Sequence, residues 1–451
     1  MKSASSIALV RAAAVAWIAA FLLPGLAAAS APSGTEKPLA PFRSIEWPAG
    51  TSLVPFENLE GLILFEASLH AGARQDTSGL FVLDSGAGYL ALDHELAWTY
   101  GLAGSERVDG VSVTRRPLRR FTVGDLQIDQ LSPILTFEAT IVRRITDRQV
   151  LGLFGQSPLV GRAVWIDYRD ALLAIVPMPQ EPGARARSPE QAVPAAQAAA
   201  ERFVSARALA IPFRLEGDGK ILVSARVADP RPPRYSPDLT LIIDTGATWC
   251  VFFEDEIDDV LEQHRKWPSV SGISAPTLFG DPGATVARVP TLEIRSNGVD
   301  ALRRDVDVAL ITSELSGMLT RAVQEDVHGL VGYSYLRNYR VGIDYVNRVL
   351  WLDPMPDGWE GRPYRDSHVG IQIERREGVL RVAGVIPGSP AASAGIEVGD
   401  DIVGLQGKPA TEFDVPVMLR AFEGPPGSHL EITTKRGDRE KSYRLVRRKL
   451  L

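Results

Sequence analysis

The stretch Phe81-Val82-Leu83-Asp84-Ser85-Gly86-Ala87 ends an apolar run on an aspartate and follows it with a hydroxyl residue and a glycine. Leu241-Ile242-Ile243-Asp244-Thr245-Gly246-Ala247 repeats the design. One such triplet is an ordinary strand-ending turn, in which a short polar side chain bonds its own backbone. Its recurrence inside a longer repeat gives it weight. Val54-Pro55-Phe56 returns as Ile211-Pro212-Phe213 at an offset of 157, and Asp84 returns as Asp244 at 160. Val108-Asp109-Gly110-Val111-Ser112 answers Val270-Ser271-Gly272-Ile273-Ser274 at 162. Gly152-Leu153-Phe154-Gly155 answers Gly329-Leu330-Val331-Gly332 at 177, and Asp167-Tyr168 and Pro177-Met178-Pro179 keep that offset in Asp344-Tyr345 and Pro354-Met355-Pro356. Ordered blocks with slowly growing offsets describe a duplicated domain whose insertions fall in loops.

The chain of 451 residues is 45% hydrophobic, enough for several packed domains. Its net charge of -6 and lack of a long basic run argue against nucleic-acid binding. At the N-terminus, Lys2 and Arg11 precede an apolar stretch from Ala12 to Leu23, then Pro24-Gly25 and Ala27-Ala28-Ala29. That is the pattern of a secretory signal peptide cut near Ala29-Ser30, with an uncleaved anchor as the rival. No later segment is apolar enough to span a bilayer. Cys250 is the single cysteine, so no intrachain disulfide forms and no lipid-accepting cysteine follows the signal. A periplasmic or secreted protein with no stable membrane span is expected.

Composition divides the chain into a signal peptide (1–29), a lead-in (30–50), a first lobe (51–180), a linker (181–206), a second lobe (207–356), a short linker (357–367) and a C-terminal domain (368–451). The lead-in is expected to be loosely held, and the linker, with its prolines, arginines and alanine run, to be exposed with a short helix. Short β-branched runs such as Ile221-Leu222-Val223-Ser224-Ala225-Arg226-Val227 make both lobes mostly β, with helices expected at Asp93 to Tyr100 and Asp255 to His264.

If Asp84 and Asp244 meet across a pseudo-twofold axis, their like charges force the pair to share one proton. One carboxylate then takes a proton from water attacking an amide carbonyl while the other donates to the developing oxyanion, with no metal, cofactor or covalent nucleophile. Gly86 and Gly246 allow close backbone approach, and the hydroxyls of Ser85 and Thr245 are placed to tie the two loops together. These residues resemble the retropepsin-like and pepsin-like aspartic proteases from roughly Thr51 to Pro356. The apolar-Asp-Ser/Thr-Gly-Ala motif and the apolar-apolar-Gly strands Leu153-Phe154-Gly155 and Leu330-Val331-Gly332 each occur twice. The resemblance implies an aspartic endopeptidase acting on extended polypeptide, with Asp84 and Asp244 catalytic and Gly110 and Gly272 near flap tips. With both motifs in one chain, dimerisation is not required for the site. Eukaryotic pepsin disulfides are missing, and no tyrosine occurs between Val108 and Ile128.

Pro387-Gly388-Ser389-Pro390-Ala391-Ala392-Ser393-Ala394-Gly395-Ile396, followed by Gly399-Asp400-Asp401-Ile402, resembles a PDZ domain of bacterial proteases. That resemblance places binding of protein C-termini at Val369, Gly370, Ile371 and Ile373, with docking on the chain's own lobes as the alternative. The expected fold class is therefore mainly β, two pseudosymmetric aspartic-protease-like lobes followed by a PDZ domain. The rival function is a noncatalytic peptide-binding or scaffold protein of the cell envelope. The Arg115-Arg116 and Arg119-Arg120 pairs read as solvated hairpin faces, Cys250 as a small buried hydrophobe, and Trp249 and Tyr89 as core. The six histidines show no zinc-binding spacing.

Overall fold

The computed structural model describes residues 40–70, 76–104, 106–108, 111–178, 193–194, 196–197, 200–230, 233–258, 266–277, 280–295, 300–356, 358–365 and 367–451. The expected signal peptide, most of the linker and Gly110 lie outside them. The described residues are mainly β.

An antiparallel sheet of six strands joins the two halves, in the order Leu209–Pro212, Val349–Pro354, Tyr339–Asp344, Arg162–Asp167, Leu172–Pro177 and Ser52–Leu59. Each half supplies three strands. At the seam Trp165 faces Gly342, and Ala163 faces Asp344. Trp165 and Gly342 are themselves equivalents at the repeat offset of 177, so a pseudo-twofold axis passes through this pair. Packing requires the asymmetry of side chains there, because a Cβ on Gly342 would stand 2.5 Å from the Trp165 ring.

Both halves then repeat one topology. In the first, Thr77–Leu83 runs parallel to Val150–Phe154, which pairs antiparallel with Ala91–Asp93, itself parallel to Ile134–Phe137. In the second, Leu239–Ile243 runs parallel to Gly329–Val331, which pairs antiparallel with Cys250–Phe253, itself parallel to Ala301–Ile311. Pairing of Lys220–Pro230 with both Leu239–Ile243 and Ala284–Arg295 closes the second half into a six-stranded barrel. Such strands are buried on both faces and are written almost wholly in apolar residues, as in Leu241-Ile242-Ile243. The largest apolar cluster draws on both halves, from Phe81, Phe121 and Phe154 to Ile243 and Phe252.

The described parts of the lead-in and linker pack on the lobes. Phe42 is fully buried, Trp47 stacks on Phe203 at 4.7 Å, and Ala196, Ala200 and Phe203 pack with Trp165 and Trp351 against the outer face of the joining sheet. Ala196 and Ala200 of the alanine run thus supply apolar contacts that a composition reading scores only as small residues.

The C-terminal unit is a sheet in the order Ile371–Arg376, Val379–Val385, Asp401–Leu405, His429–Arg436 and Arg439–Val446, flanked by the helices Pro390–Ala394 and Val415–Phe422. Ser389 caps the first helix by accepting from Ala392 N–H, Pro390 begins it, and Gly395 ends it in the left-handed region. Asp414 caps the second by accepting from Val417 N–H. No helix of the described residues is long and apolar enough to cross a membrane.

Candidate active site

Each repeated aspartate leaves its strand at a position bracketed by hydrogen bonds. Asp84 N–H donates to the Phe154 carbonyl at 3.1 Å, and Asp244 N–H donates to the Val331 carbonyl at 3.0 Å. The turns close on the side chains: Ala87 N–H donates to Asp84 Oδ1 at 3.0 Å, and Gly246 N–H to Asp244 Oδ1 at 2.8 Å.

The two loops are tied to one another by their hydroxyl residues. Ser85 N–H donates to Thr245 Oγ1 at 2.9 Å, and Thr245 N–H donates to Ser85 Oγ at 3.0 Å. Ser85 Oγ donates onward to the Ile243 carbonyl at 2.9 Å, and Thr245 Oγ1 to the Leu83 carbonyl at 3.1 Å. This reciprocal pattern obeys the same twofold as the joining sheet. It brings the backbones so near that a Cβ on Gly86 would stand 2.7 Å from the Asp244 carboxyl. The structure therefore brings Asp84, Asp244, Ser85, Gly86, Thr245 and Gly246 together.

Both carboxyls are fully buried, and Asp84 Oδ2 and Asp244 Oδ2 meet no hydrogen-bond donor. Burial, then the Asp244 charge, holds Asp84 well above the usual carboxylate range. Burial likewise pushes Asp244 up to about 7 against the pull of the Gly246 N–H and the Lys220 ammonium. Two acids so placed keep one proton between them and titrate as a unit. An ionised member can accept a proton from water while the protonated member donates to an oxygen that gains charge.

Three contributors escape a motif reading. Lys220 Nζ binds Asp218 Oδ1 at 2.8 Å and Oδ2 at 3.0 Å, with both side chains only 1% exposed. Asp218 also accepts from the Gly88 N–H of the first-lobe loop, so the second lobe holds the turn that carries Asp84. The signal is present in the repeat: Asp218-Gly219-Lys220 occupies the turn equivalent to Glu60-Gly61-Leu62, and a lysine replaces an apolar residue there. The third is Tyr345, whose hydroxyl is buried without a partner and whose phenol is raised by burial and by the Asp84 charge.

Of the expected flap residues, Gly110 lies outside the described residues. Gly272 lies in the strand Ser269–Ile273, with a positive φ of 75°, and faces the C-terminal unit, since a Cβ there would stand 3.0 Å from Pro387. Of the expected peptide-binding residues, Val369, Ile371 and Ile373 are buried in the core of the C-terminal unit, and Gly370 has a φ of 82°. Ile371 also lines a cleft with Leu419 and Phe422. Cys250 is fully buried, and burial pushes its thiol up to about 11. Trp249 is buried, and Arg120 pairs with Asp129 at 2.6 Å on its hairpin. Among the described residues no group of His, Cys, Asp and Glu is placed to hold a metal ion.

Residues 367–445 match the PDZ domain family. Over 109 residues the chain is 30% identical to a probable periplasmic serine endoprotease DegP-like from Pseudomonas fulva (strain 12-X), covering 23% of this chain and 22% of that protein. Among solved structures, the photosystem II D1 C-terminal processing protease is 23% identical, covering 19% of this chain and 24% of that one, with a TM-score of 0.18 that carries no structural argument. The curated likeness runs to a serine endoprotease, and on this finding the expected membership of the retropepsin-like and pepsin-like aspartic proteases, and the aspartic endopeptidase class that went with it, are corrected. What the findings carry is a mainly β chain with a barrel, a C-terminal PDZ domain and a distant likeness to a DegP-like peptidase. The chain spans less than a quarter of that relative's length.

Proposed function

We propose that the chain is a polypeptide hydrolase of the cell envelope, with the PDZ domain as its peptide-binding part and the Asp84–Asp244 pair as its acid–base centre. The observation that carries this reading is the buried pair itself, with one oxygen on each carboxyl that meets no donor and two loops locked by reciprocal hydroxyl bonds. Unpaired buried oxygens are costly and are retained where a reaction uses them. The peptidase class of the DegP-like relative and its periplasmic description support the substrate and the compartment.

That relative's description favours a second reading, in which a serine is the nucleophile. Ser85 is the serine closest in sequence to the pair, but its hydroxyl donates to the Ile243 carbonyl and accepts from Thr245 N–H. Neither partner is a base that would activate it. The test incubates the mature chain with denatured casein from acidic to neutral pH, beside Asp84→Asn, Asp244→Asn and protein treated with a serine-directed phosphonofluoridate. Cleavage that falls by at least about 100-fold in both variants and survives the reagent supports the pair. Cleavage that persists in both variants and is lost on labelling of a serine contradicts it and gives the second reading.

A further inference from the structure

The PDZ domain does not present an open groove. Its outermost strand, Ile371–Arg376, pairs on one side only, with Val379–Val385. An extended peptide would add to the other side, between that strand and the helix Val415–Phe422. The first-lobe helix Thr140–Thr146 packs on both of these elements. At its end Asp147 accepts from Arg375 Nε at 2.7 Å and from Val415 N–H at 3.3 Å, and Arg148 pairs with Asp414 at 2.9 Å.

At the mouth of the groove, a cleft is lined by His368, Ile371, Leu419 and Phe422 from the PDZ domain and by Glu60 from the first lobe. Glu60 projects from the tight turn between Ser52–Leu59 and Leu62–His70, with a positive φ of 50°. Each of its oxygens meets a different guanidinium, Oε1 that of Arg362 at 2.7 Å and Oε2 that of Arg365 at 3.0 Å. A carboxylate held by two arginines beside an apolar cleft has the chemistry of a bound chain terminus.

We infer that the first lobe holds the PDZ groove closed, with Glu60 standing in for a terminal carboxylate and the helix Thr140–Thr146 lying along the groove, so that a free polypeptide C-terminus binds by displacing them. The displacement reaches the second lobe as well. Gln372, on the same strand, accepts from Ser274 N–H and donates to the Ser274 carbonyl, each at 2.9 Å, beside the hairpin strand that contains Gly272. Binding of a chain end is therefore coupled to release of that hairpin.

The inference rests on the peptide-binding reading of the PDZ domain and not on the aspartate pair. Its test is the fluorescence anisotropy of a labelled peptide ending in a free valine carboxylate, and of the same peptide amidated, against full-length mature chain. The comparison variant combines Glu60→Gln, Asp147→Asn and Arg148→Gln, all in the first lobe. Expected is at least about tenfold tighter binding of the free-acid peptide to the variant than to the wild type, as befits a groove whose competent fraction has risen. As a check that needs no variant, saturating peptide raises amide exchange across residues 140–147 of the wild-type chain. Equal affinity of both proteins for the peptide, without that rise in exchange, overturns the closure. Binding to neither protein overturns the peptide-binding reading and the closure with it.

Discussion

At the residue scale, the decisive fact is that burial and a like charge act together on Asp84, and burial acts on Asp244. An ordinary aspartate titrates near 3.8, whereas burial pushes Asp244 up to about 7 in the folded chain. Between those values the folded protein retains a proton that the unfolded chain has released, so stability falls as pH rises through the window. Thermal unfolding of the wild type is expected to drop in midpoint across that range more steeply than that of Asp244→Asn, which carries no ionisable group there. Parallel curves for the two proteins would contradict the assignment. Both aspartates were legible because the repeat brackets each with the same neighbours. Lys220 and Asp218 were not, since a buried ion pair two residues apart looks like any charged turn until the fold closes over it.

At the element scale, the site depends on two turns that each complete the other. Thr245→Ala removes the acceptor of Ser85 N–H and the donor to the Leu83 carbonyl. Two buried hydrogen bonds lost with their partners left unsatisfied cost about 2–4 kcal/mol. Urea unfolding is expected to read that loss, and Thr245→Ser, which keeps the hydroxyl, to recover most of it. Gly86→Ala inserts a methyl 2.7 Å from the Asp244 carboxyl and is expected to reduce activity more than stability, measured by casein cleavage beside the unfolding midpoint. Strand content and the helix at His94–Thr99 followed from periodicity, close to the expected span of Asp93 to Tyr100. The helix expected from Asp255 begins at Glu254, and residues 259–265 lie outside the described ones. Parallel pairing of Leu83 with Phe154 and of Ile243 with Val331 was beyond local pattern, because register between distant strands comes from the shared core.

At the scale of the whole molecule, contacts between units carry as much of the account as the motifs. Asp218 of the second lobe holds the first-lobe turn through Gly88 N–H while neutralising Lys220. Asp218→Asn leaves a buried ammonium without its countercharge, a cost of about 3–5 kcal/mol. That variant is expected to unfold at lower urea concentration, and Lys220→Met combined with it to restore much of the difference. The mainly β character and the C-terminal PDZ domain were readable in the sequence, yet the packing of Trp47 on Phe203 and of Glu60 on Arg362 and Arg365 just before the PDZ domain was not. Each of those pairs joins segments far apart in the chain, and composition carries no record of which surfaces meet.

The shared proton is tested most directly by carbon-13 NMR titration of the Asp84 and Asp244 carboxyl groups in the full chain. The account predicts that both carboxyls keep their protons above the ordinary aspartate range, Asp244 up to about 7, and that Asp84→Asn changes the titration of Asp244. Two independent titrations near 3.8, each unaffected by loss of the other, would contradict it.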